Sequence, residues 1–422
     1  MSDAAGEGPE GAAPTGDAAR AARVAGAVAR FTPEERERVL ALRRALHAAP
    51  ELSWQERTTQ RTLRAALEAA GITEIREVAE TGLVATIPGT DPAAPVIALR
   101  GDIDALPIAE ETGLPFASVH PGVMHACGHD MHAAWTVAAG ILLAKAPAAG
   151  TVRLVLQPAE EVGEGAARVL ASGVLDGVHA IFGGHVDWRF PVGEVVATDG
   201  AIAASTDTFD VVFHGRGGHG ARPQDARDPI VALAAFVMEV QTLVSRRLDP
   251  GLPGVVSVTV ADAGSAANVI PERARVAGTI RATTRAARTL LCDGVRAVAE
   301  SVAALHGVRA VCTLSEGTPP LLNTPTAAAC ARTAVREVLG ASALTALPTA
   351  NMGGEDFAFY TERMPGCFLR IGTLGEGRSA AGAHTPRFDP EETALFVGGA
   401  VLAACARVAS AAGTSLATGV SR

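Results

Sequence analysis

The sequence of 422 residues contains a single lysine, Lys145, so arginine carries almost all of its positive charge. Two classes of enzyme require a well-placed lysine: P-loop nucleotide-binding proteins and enzymes that form a Schiff base with their substrate. Lys145 ends a segment rich in alanine and leucine, without flanking glycines and without a following serine or threonine. We therefore expect neither class.

An excess of basic residues and a long apolar run are also absent. The chain has 36 basic and 45 acidic residues and a formal net charge of −9, which argues against nucleic acid or an anionic membrane as a partner. Its longest apolar runs, residues 133–144 and 395–405, are shorter than the roughly 20 residues that a membrane-spanning helix needs. We predict a soluble protein that binds neither nucleic acid nor membrane.

The six cysteines are scattered and include no C-x-x-C pair. A chain of this length does not need disulfide bonds to hold a small core together, so the pattern predicts a reducing, cytoplasmic environment. The first residues are acidic, rich in alanine, glycine and proline, and lack the apolar stretch of a signal peptide. We expect residues 1–30 to form a disordered leader.

Strands and helices alternate over much of the remaining chain. Short apolar segments such as 96–100 and 152–156 predict strands, and His129–Lys145 between them predicts a helix. The alternation predicts an α/β fold with a mostly parallel sheet and helices on both faces, formed by residues 31–199 and 315–422. Near its start, Ser53 to Glu56 match a capping box that begins a helix.

The intervening segment, residues 200–314, has a different pattern. Its predicted elements follow the order strand, helix, strand, strand, helix, strand, which is the βαββαβ order of the ferredoxin-like fold. The length of the chain also favours more than one domain. We therefore predict a smaller α+β domain inserted into the larger one.

Polar residues follow several predicted strands. Asp102 and Asp104 come after one strand, Glu160 and Glu161 after the next, and His185 after the one that follows. The carboxyl ends of parallel strands share one edge of the sheet, where ligands bind in open α/β folds. A single such residue is often a turn or helix-capping residue, but the five together indicate a site at this edge.

The segment GVMHACGHDMHAA at residues 122–134 concentrates metal-binding side chains. A core histidine cluster and a structural zinc site are the alternatives, although no second ligand pair at zinc-finger spacing follows. Cys127 and His129 are two residues apart, so in an extended segment their side chains point the same way and can approach one ion. Thiolate and imidazole suit Zn, Co or Ni, and carboxylates would also admit Mn.

The pair Glu160 and Glu161 can divide two tasks between neighbours. One carboxylate can bind the metal while the other accepts a proton from the attacking water. Such a pair is commonly a solvated surface feature. Here it follows a strand and Gln-Pro and precedes the glycines of VGEG, a context that predicts an exposed loop at the sheet edge.

The segment HGRGGHGARP presents His219 in a glycine loop. It matches G-x-G-x-x-G, but ARPQDARDP follows in place of an immediate helix, which argues against a dinucleotide site. His219 can instead stabilise an oxyanion.

Asn268 and Arg281 can hold a substrate carboxylate, although an ordinary exposed strand end is the alternative for Arg281. His384 is a lone histidine before a helix start, a position that is more often structural than ligating.

Ten motifs in order resemble the aminoacylase and carboxypeptidase G group of metal-dependent amidohydrolases. They are LRRALHAAPELSWQE, LRGDIDALP, GVMHACGHDMHAA, QPAEEVGEGA, GGHV, GRGGHGARP, NVIPE, GTIRA, GGEDFAFY and AHTPRFDPEE. Within this group the chain is most similar to the hippurate hydrolase and indoleacetyl-amino-acid hydrolase branch, whose hallmark is Cys-Gly-His-Asp. The resemblance extends from about Phe31 to Ala411.

The resemblance implies a two-domain enzyme with a metal site in the larger, catalytic domain and a smaller lid or dimerisation domain. One or two divalent ions (Zn, Mn, Co or Ni) would be bound by Cys127, His129, Glu161, His185 and His384. Glu160 would be the general base and Asp104 a carboxylate that orients a metal ligand. His219 would stabilise the oxyanion, offered to the partner subunit of a homodimer, while Asn268 and Arg281 would contact the substrate.

The implied reaction is hydrolysis of the amide of an N-acyl amino acid, or a close analogue, to a carboxylic acid and a free amino acid. A metallo-dipeptidase or carboxypeptidase acting on short peptides is one alternative, and a non-catalytic binding protein with the same fold is another. Two departures from the branch bear on the substrate. Gln224 follows Pro223 where the branch usually has histidine, and Asp187 and Trp188 after His185 differ from its commonest members.

Overall fold

The computed structural model of the protein describes residues 16–376 and 381–412. The helices are α1 (Gly16–Val28), α2 (Pro33–Ala48), α3 (Arg57–Ala69), α4 (His129–Lys145), α5 (Gly165–Ala171), α6 (Pro229–Glu239), α7 (Arg285–His306), α8 (Pro325–Leu339), α9 (Ala358–Thr361) and α10 (Ala394–Ala411). The strands are β1 (Ile75–Val78), β2 (Gly82–Ile87), β3 (Val96–Asp102), β4 (Val152–Gln157), β5 (Val178–Pro191), β6 (Val195–Val196), β7 (Gly200–Ala203), β8 (Asp207–His214), β9 (Gly218–His219), β10 (Gly254–Ala263), β11 (Val269–Ile270), β12 (Arg273–Ala282), β13 (Arg309–Ser315), β14 (Leu321–Asn323), β15 (Leu344–Thr345) and β16 (Gly366–Leu374).

The larger sheet has eight strands in the order β1-β2-β4-β3-β5-β16-β6-β15. Its central strands β4, β3, β5 and β16 are parallel, whereas β1, β2 and β6 pair antiparallel with their neighbours toward the centre. The prediction of an α/β fold with a mostly parallel sheet is confirmed. Strand β5 continues to Pro191, so His185 lies within the strand and not after it.

Helices cover both faces of this sheet. Leu99 and Leu154 pack in one hydrophobic cluster with α4 and α10, while their chain neighbours Ala98 and Val155 pack in a second cluster with residues of α5 and α9. This alternation is the period-2 geometry of strands buried on both faces. Helices α4 and α10 are buried almost all round, which explains why they are apolar all round.

Strands β8, β10, β12 and β13 form a separate antiparallel sheet in the order β10-β12-β8-β13. Helices α6 and α7 pack against it, and the strand order is that of the ferredoxin-like fold, as the element order predicts. This sheet and its helices enclose a hydrophobic cluster of their own. The domain limits after residue 199 and before residue 315 stay a prediction, which the separate cluster supports.

The prediction of a disordered leader is wrong for residues 16–28, which form α1. This helix contacts α8 and α10, and Ala27 is fully buried. Tertiary packing therefore orders a segment whose composition alone favours disorder. Residues 1–15 of the predicted leader lie outside the described residues.

The predicted capping box is also wrong. Helix α3 begins at Arg57, and its N-cap residue Glu56 makes no capping hydrogen bond. The carboxylate of Glu51 accepts the backbone N–H groups of Thr58 and Thr59, each at 2.8 Å. Ser53 Oγ instead donates a hydrogen bond to Asp104 (2.7 Å). The carboxylate of Glu56 is buried and accepts a hydrogen bond from Thr81 Oγ1 at 2.7 Å. The side chains of Ser53 and Glu56 therefore bind residues that follow other strands or turns, Asp104 and Thr81, and not the start of their own helix.

Two helical segments of the described chain are long and apolar enough to cross a membrane by length and composition, residues 229–247 and 394–411. The second is α10, and 83% of its apolar window is buried inside the protein. The first is not a continuous α-helix, because α6 ends at Glu239 and Leu243–Arg247 is a π-helical turn. Helix α10 belongs to the protein core.

Candidate metal centre and active site

The structure brings together the five side chains that the sequence predicts as metal ligands. We call this group, Cys127, His129, Glu161, His185 and His384, the ligand cage. Cys127 Sγ lies 3.4 Å from His185 Nε2. Glu161 Oε1 lies 3.8 Å from His129 Nε2 and 3.7 Å from His384 Nε2. Separations of this size are those of donor atoms that share a small cation.

The backbone has a positive φ at the cage residue His384 (+62°) and at two residues beside the cage. Gly128, between Cys127 and His129, has φ +87° and ends the loop before α4. A Cβ atom there would lie 2.7 Å from the side chain of Val186, so only glycine allows cysteine and histidine to flank this position. Ala159, immediately before Glu160, also has a positive φ, +54°. Strain of this kind is concentrated at functional sites.

The donor set fits a divalent metal ion. Among the described residues, the buried atoms His129 Nε2 and Glu161 Oε1 have no hydrogen-bond partner, a costly arrangement unless a ligand satisfies them. The outer ring nitrogens are already engaged, since His129 Nδ1 lies 3.1 Å from Asp104 Oδ1 and His185 Nδ1 lies 2.8 Å from the Val186 carbonyl. The inner Nε2 atoms are therefore left to bind metal.

The electrostatics of the cage also favour a bound cation. Burial raises the pKa of Glu161 to about 7, although His129 opposes the shift. Burial and the nearby carboxylate of Glu355 raise the pKa of Glu160 well above its usual value. Several carboxylates are thus held in one poorly solvated place, and a divalent cation would stabilise their charged forms.

Asp104, the predicted orienting carboxylate, contacts two residues of the cage. It is buried, accepts the backbone N–H of Glu161 at 3.0 Å, and lies against the ring of His129. Ser53 donates a further hydrogen bond to it. One carboxylate therefore fixes two cage residues that are far apart in the chain.

Sequence reasoning missed a buried ionic cluster beneath the cage. The guanidinium of Arg100 lies 2.5 Å from Asp102, 3.0 Å from Glu355 and 2.8 Å from Asp356. Asp102 in turn holds His132 at 2.6 Å. The motifs LRGDIDALP and GGEDFAFY contain the partners, but nothing in their spacing indicates that they meet across the fold.

The cage opens into a cavity of about 800 Å³, a size that suits a small molecule. Glu160 and Arg281 line this cavity. His219 and Asn268 lie together on the exposed ribbon of β9 and β11, where Gly220 N–H donates to the Asn268 carbonyl at 2.8 Å. The structure does not bring these two residues to the cavity wall of their own chain.

The chain is similar in sequence and in fold to known proteins over most of its length. The chain is 42% identical over 364 residues to N-acetylcysteine deacetylase of Bacillus subtilis (strain 168), covering 85% of this chain and 93% of that protein. It is 37% identical over 382 residues to IAA-amino acid hydrolase ILR1-like 2 of Arabidopsis thaliana, covering 89% and 86%. The Bacillus subtilis YXEP protein, a dinuclear metal binding peptidase from the M20 family, superposes with a TM-score of 0.78 at 38% identity, covering 89% of this chain and 99% of that one.

Residues 98–408 match Peptidase family M20/M25/M40. This match spans well over half of the chain, and it includes all five cage residues. The resemblance inferred from the motifs is therefore confirmed, and the chain belongs to peptidase family M20/M25/M40.

Proposed function

We propose that the protein hydrolyses the amide bond of an N-acyl amino acid, releasing a carboxylic acid and a free amino acid. The observation that carries this proposal is the position of Glu160 beside the ligand cage. Its Oε2 lies 3.8 Å from His129 Nε2, and its Oε1 accepts the backbone N–H of Asp356 at 3.4 Å. The names of the deacetylase and amino acid hydrolase relatives support the same reaction.

Glu160 moves the proton in this reaction. Its carboxylate is held at the cavity wall next to the cage, where a bound cation would favour the ionised form that accepts a proton. It accepts a proton from the attacking water and passes it to the leaving nitrogen. Arg281, also on the cavity wall, binds the carboxylate of the substrate.

The cage would hold one or two ions of Zn, Mn, Co or Ni. The donor atoms form two close triads, one with His129 and His185 and one with Glu161 and His384, and both include Cys127. The cage would therefore offer donor atoms for one ion or for two. When bound, the ions polarise the amide carbonyl and lower the pKa of the attacking water.

His219 and Asn268 would act on the cavity of a second chain. They are exposed on their own chain, so a homodimer through the inserted domain is needed to place His219 at an oxyanion and Asn268 at a substrate. The inserted domain supplies exposed apolar side chains for such an interface, including Val231, Met238 and Val260.

We place this dimer in the cytoplasm, because the cysteines are free.

The test is hydrolysis of N-acetyl and N-benzoyl amino acids by protein reconstituted separately with Zn, Co and Mn. We expect the protein to hydrolyse these substrates faster than short unblocked peptides. Better cleavage of the peptides would instead establish a dipeptidase or carboxypeptidase. Metal-loaded protein that is inert across the whole panel would point to a binding protein with the same fold.

A further inference from the structure

Arg370 and Asp187, which the proposed reaction does not use, form an ion pair beside the cage. Arg370 on β16 lies opposite His185 in the register of the parallel pair β5–β16, and it lines the same cavity. Its side chain is only 8% exposed. Asp187, two residues after His185 on β5, is fully buried and lies 3.2 Å from Arg370 Nε.

Asp187 does not fully neutralise the charge of Arg370, because the same carboxylate also binds a second arginine. Arg189 binds both oxygens of Asp187, through Nε at 2.9 Å and Nη2 at 2.7 Å. Two guanidinium groups therefore share one carboxylate. No other carboxylate of the described residues lies within 4.0 Å of Arg370, so a positive charge remains at the cavity wall.

The hydrogen-bonding capacity of Arg370 is also incompletely used. Its Nε donates to Asp187 and its Nη2 donates to the Val186 carbonyl at 3.1 Å. Its Nη1 has no acceptor in the part of the chain that the structure describes. Because Arg370 lines the cavity, this donor is open to an acceptor on a bound ligand, and a carboxylate matches the planar geometry of a guanidinium best.

Arg189 shows what a purely structural partner of Asp187 looks like. Its side chain is 42% exposed, it does not line the cavity, and its ion pair with Asp187 is complete without any ligand. Arg370 differs in both respects, since it is buried and faces the cavity. Arg189 therefore neutralises the charge of Asp187, and Arg370 is left available to a ligand.

We propose that Arg370, held in place by Asp187, is a subsite for a second carboxylate of the substrate, in addition to the carboxylate that Arg281 binds. The inference rests on the proposed hydrolysis of N-acyl amino acids and narrows its substrate class to dicarboxylic N-acyl amino acids. The second carboxylate can belong to the acyl chain or to the amino acid side chain. Both sources present the same anion to the guanidinium.

Matched substrate pairs distinguish these sources in the metal-loaded wild-type protein. N-succinyl-L-alanine and N-butyryl-L-alanine differ by a carboxylate on the acyl chain, whereas N-acetyl-L-glutamate and N-acetyl-L-glutamine differ by one on the side chain. We expect kcat/KM to favour the dicarboxylic member of one pair by about tenfold or more, since a charge-assisted hydrogen bond would be lost in its neutral counterpart.

Equal kcat/KM within both pairs would overturn the subsite while leaving the proposed hydrolysis intact. A preference for the neutral members would overturn it as well. Absence of turnover on all four substrates would contradict the proposed function itself, and the subsite with it. The two failures are therefore distinct.

Two variants then assign the preference to Arg370. Arg370→Gln should bring the two members of the preferred pair to within about threefold of each other, whereas Arg189→Gln, which removes the other cation from Asp187, should keep the preference. Arg370→Lys should retain part of it and provides a second variant if the glutamine protein does not fold. A preference that survives Arg370→Gln, or that Arg189→Gln removes equally, would overturn the assignment.

Discussion

The carboxylate of Asp104 lies 3.1 Å from Nδ1 of His129 and so directs Nε2 of that ring into the ligand cage. The second oxygen of Asp104 accepts the backbone N–H of Glu161. Orientation of two cage residues by one buried group means that the cage is ordered before metal binds. Asp104→Ala should therefore weaken metal affinity by about 10–100-fold, the usual cost of removing such a partner.

Competition with a chromophoric chelator measures that affinity. Ser53→Ala is the matched control, because it removes a hydrogen bond to Asp104 but leaves the carboxylate in place. Its loss of affinity should be clearly smaller than that of Asp104→Ala. Equal affinities of Asp104→Ala and the wild-type protein would show that Asp104 does not orient the cage.

Glu160→Gln should retain the metal and lose turnover. The amide keeps the shape of the side chain but cannot accept the proton of the attacking water, and removal of a general base costs about 10²–10⁴ in rate. Metal content and kcat are measured on the same sample. Glu164→Gln is the control, since Glu164 also lines the cavity but contacts Trp54 (3.2 Å). Unchanged kcat in Glu160→Gln would refute the assignment of the base.

Removal of metal should abolish activity and lower the thermal unfolding midpoint. A ligand that binds only the folded state stabilises it by about 2.7 kcal/mol at a free concentration 100-fold above its Kd. Addition of Zn, Co or Mn to chelated protein should restore both properties. Cys127→Ser, which replaces the thiolate common to both donor triads, should reduce the shift in midpoint. A midpoint insensitive to metal would argue against the cage.

The sequence predicts a site at one edge of the sheet because Asp104 and Glu161 follow parallel strands, whose carboxyl ends meet there. The complete set of five cage residues comes only from the family resemblance, since His185 lies within β5 and His384 is a lone histidine in the sequence. The sequence predicts the inserted domain because the order of elements there admits few topologies. It does not predict the cluster around Arg100, whose partner Glu355 is 255 residues away. Nor does it predict helix α1, whose order comes from packing against α8 and α10.

Arg100→Met should destabilise the protein by about 3–5 kcal/mol, because it leaves the buried carboxylates of Asp102 and Asp356 without their cation. Chemical denaturation measures the change in the free energy of unfolding. The control is Arg64→Met, which breaks a solvent-exposed pair with Glu77 and should cost less than about 1 kcal/mol. Similar losses in the two variants would contradict the importance of the cluster.

The stability contributed by His47 should depend on pH. Burial alone would lower the pKa of His47, but the charge of Asp130 and hydrogen bonds to Asp130 and Glu110 raise it to about 9. The folded state therefore binds the proton more tightly than the unfolded state, whose histidine has a pKa near 6.5. This stabilisation is complete below about pH 6.5 and is lost as the pH rises through 9.

His47→Gln should consequently destabilise the metal-free protein more at pH 6 than at pH 9.5, by about 2–3 kcal/mol. Urea denaturation of both proteins at both pH values gives the difference in the free energy of unfolding. Comparison of variant with wild type at each pH cancels the titration of groups that the substitution does not touch. A difference that stays constant or grows toward pH 9.5 would show that His47 is not held in its charged form by Asp130.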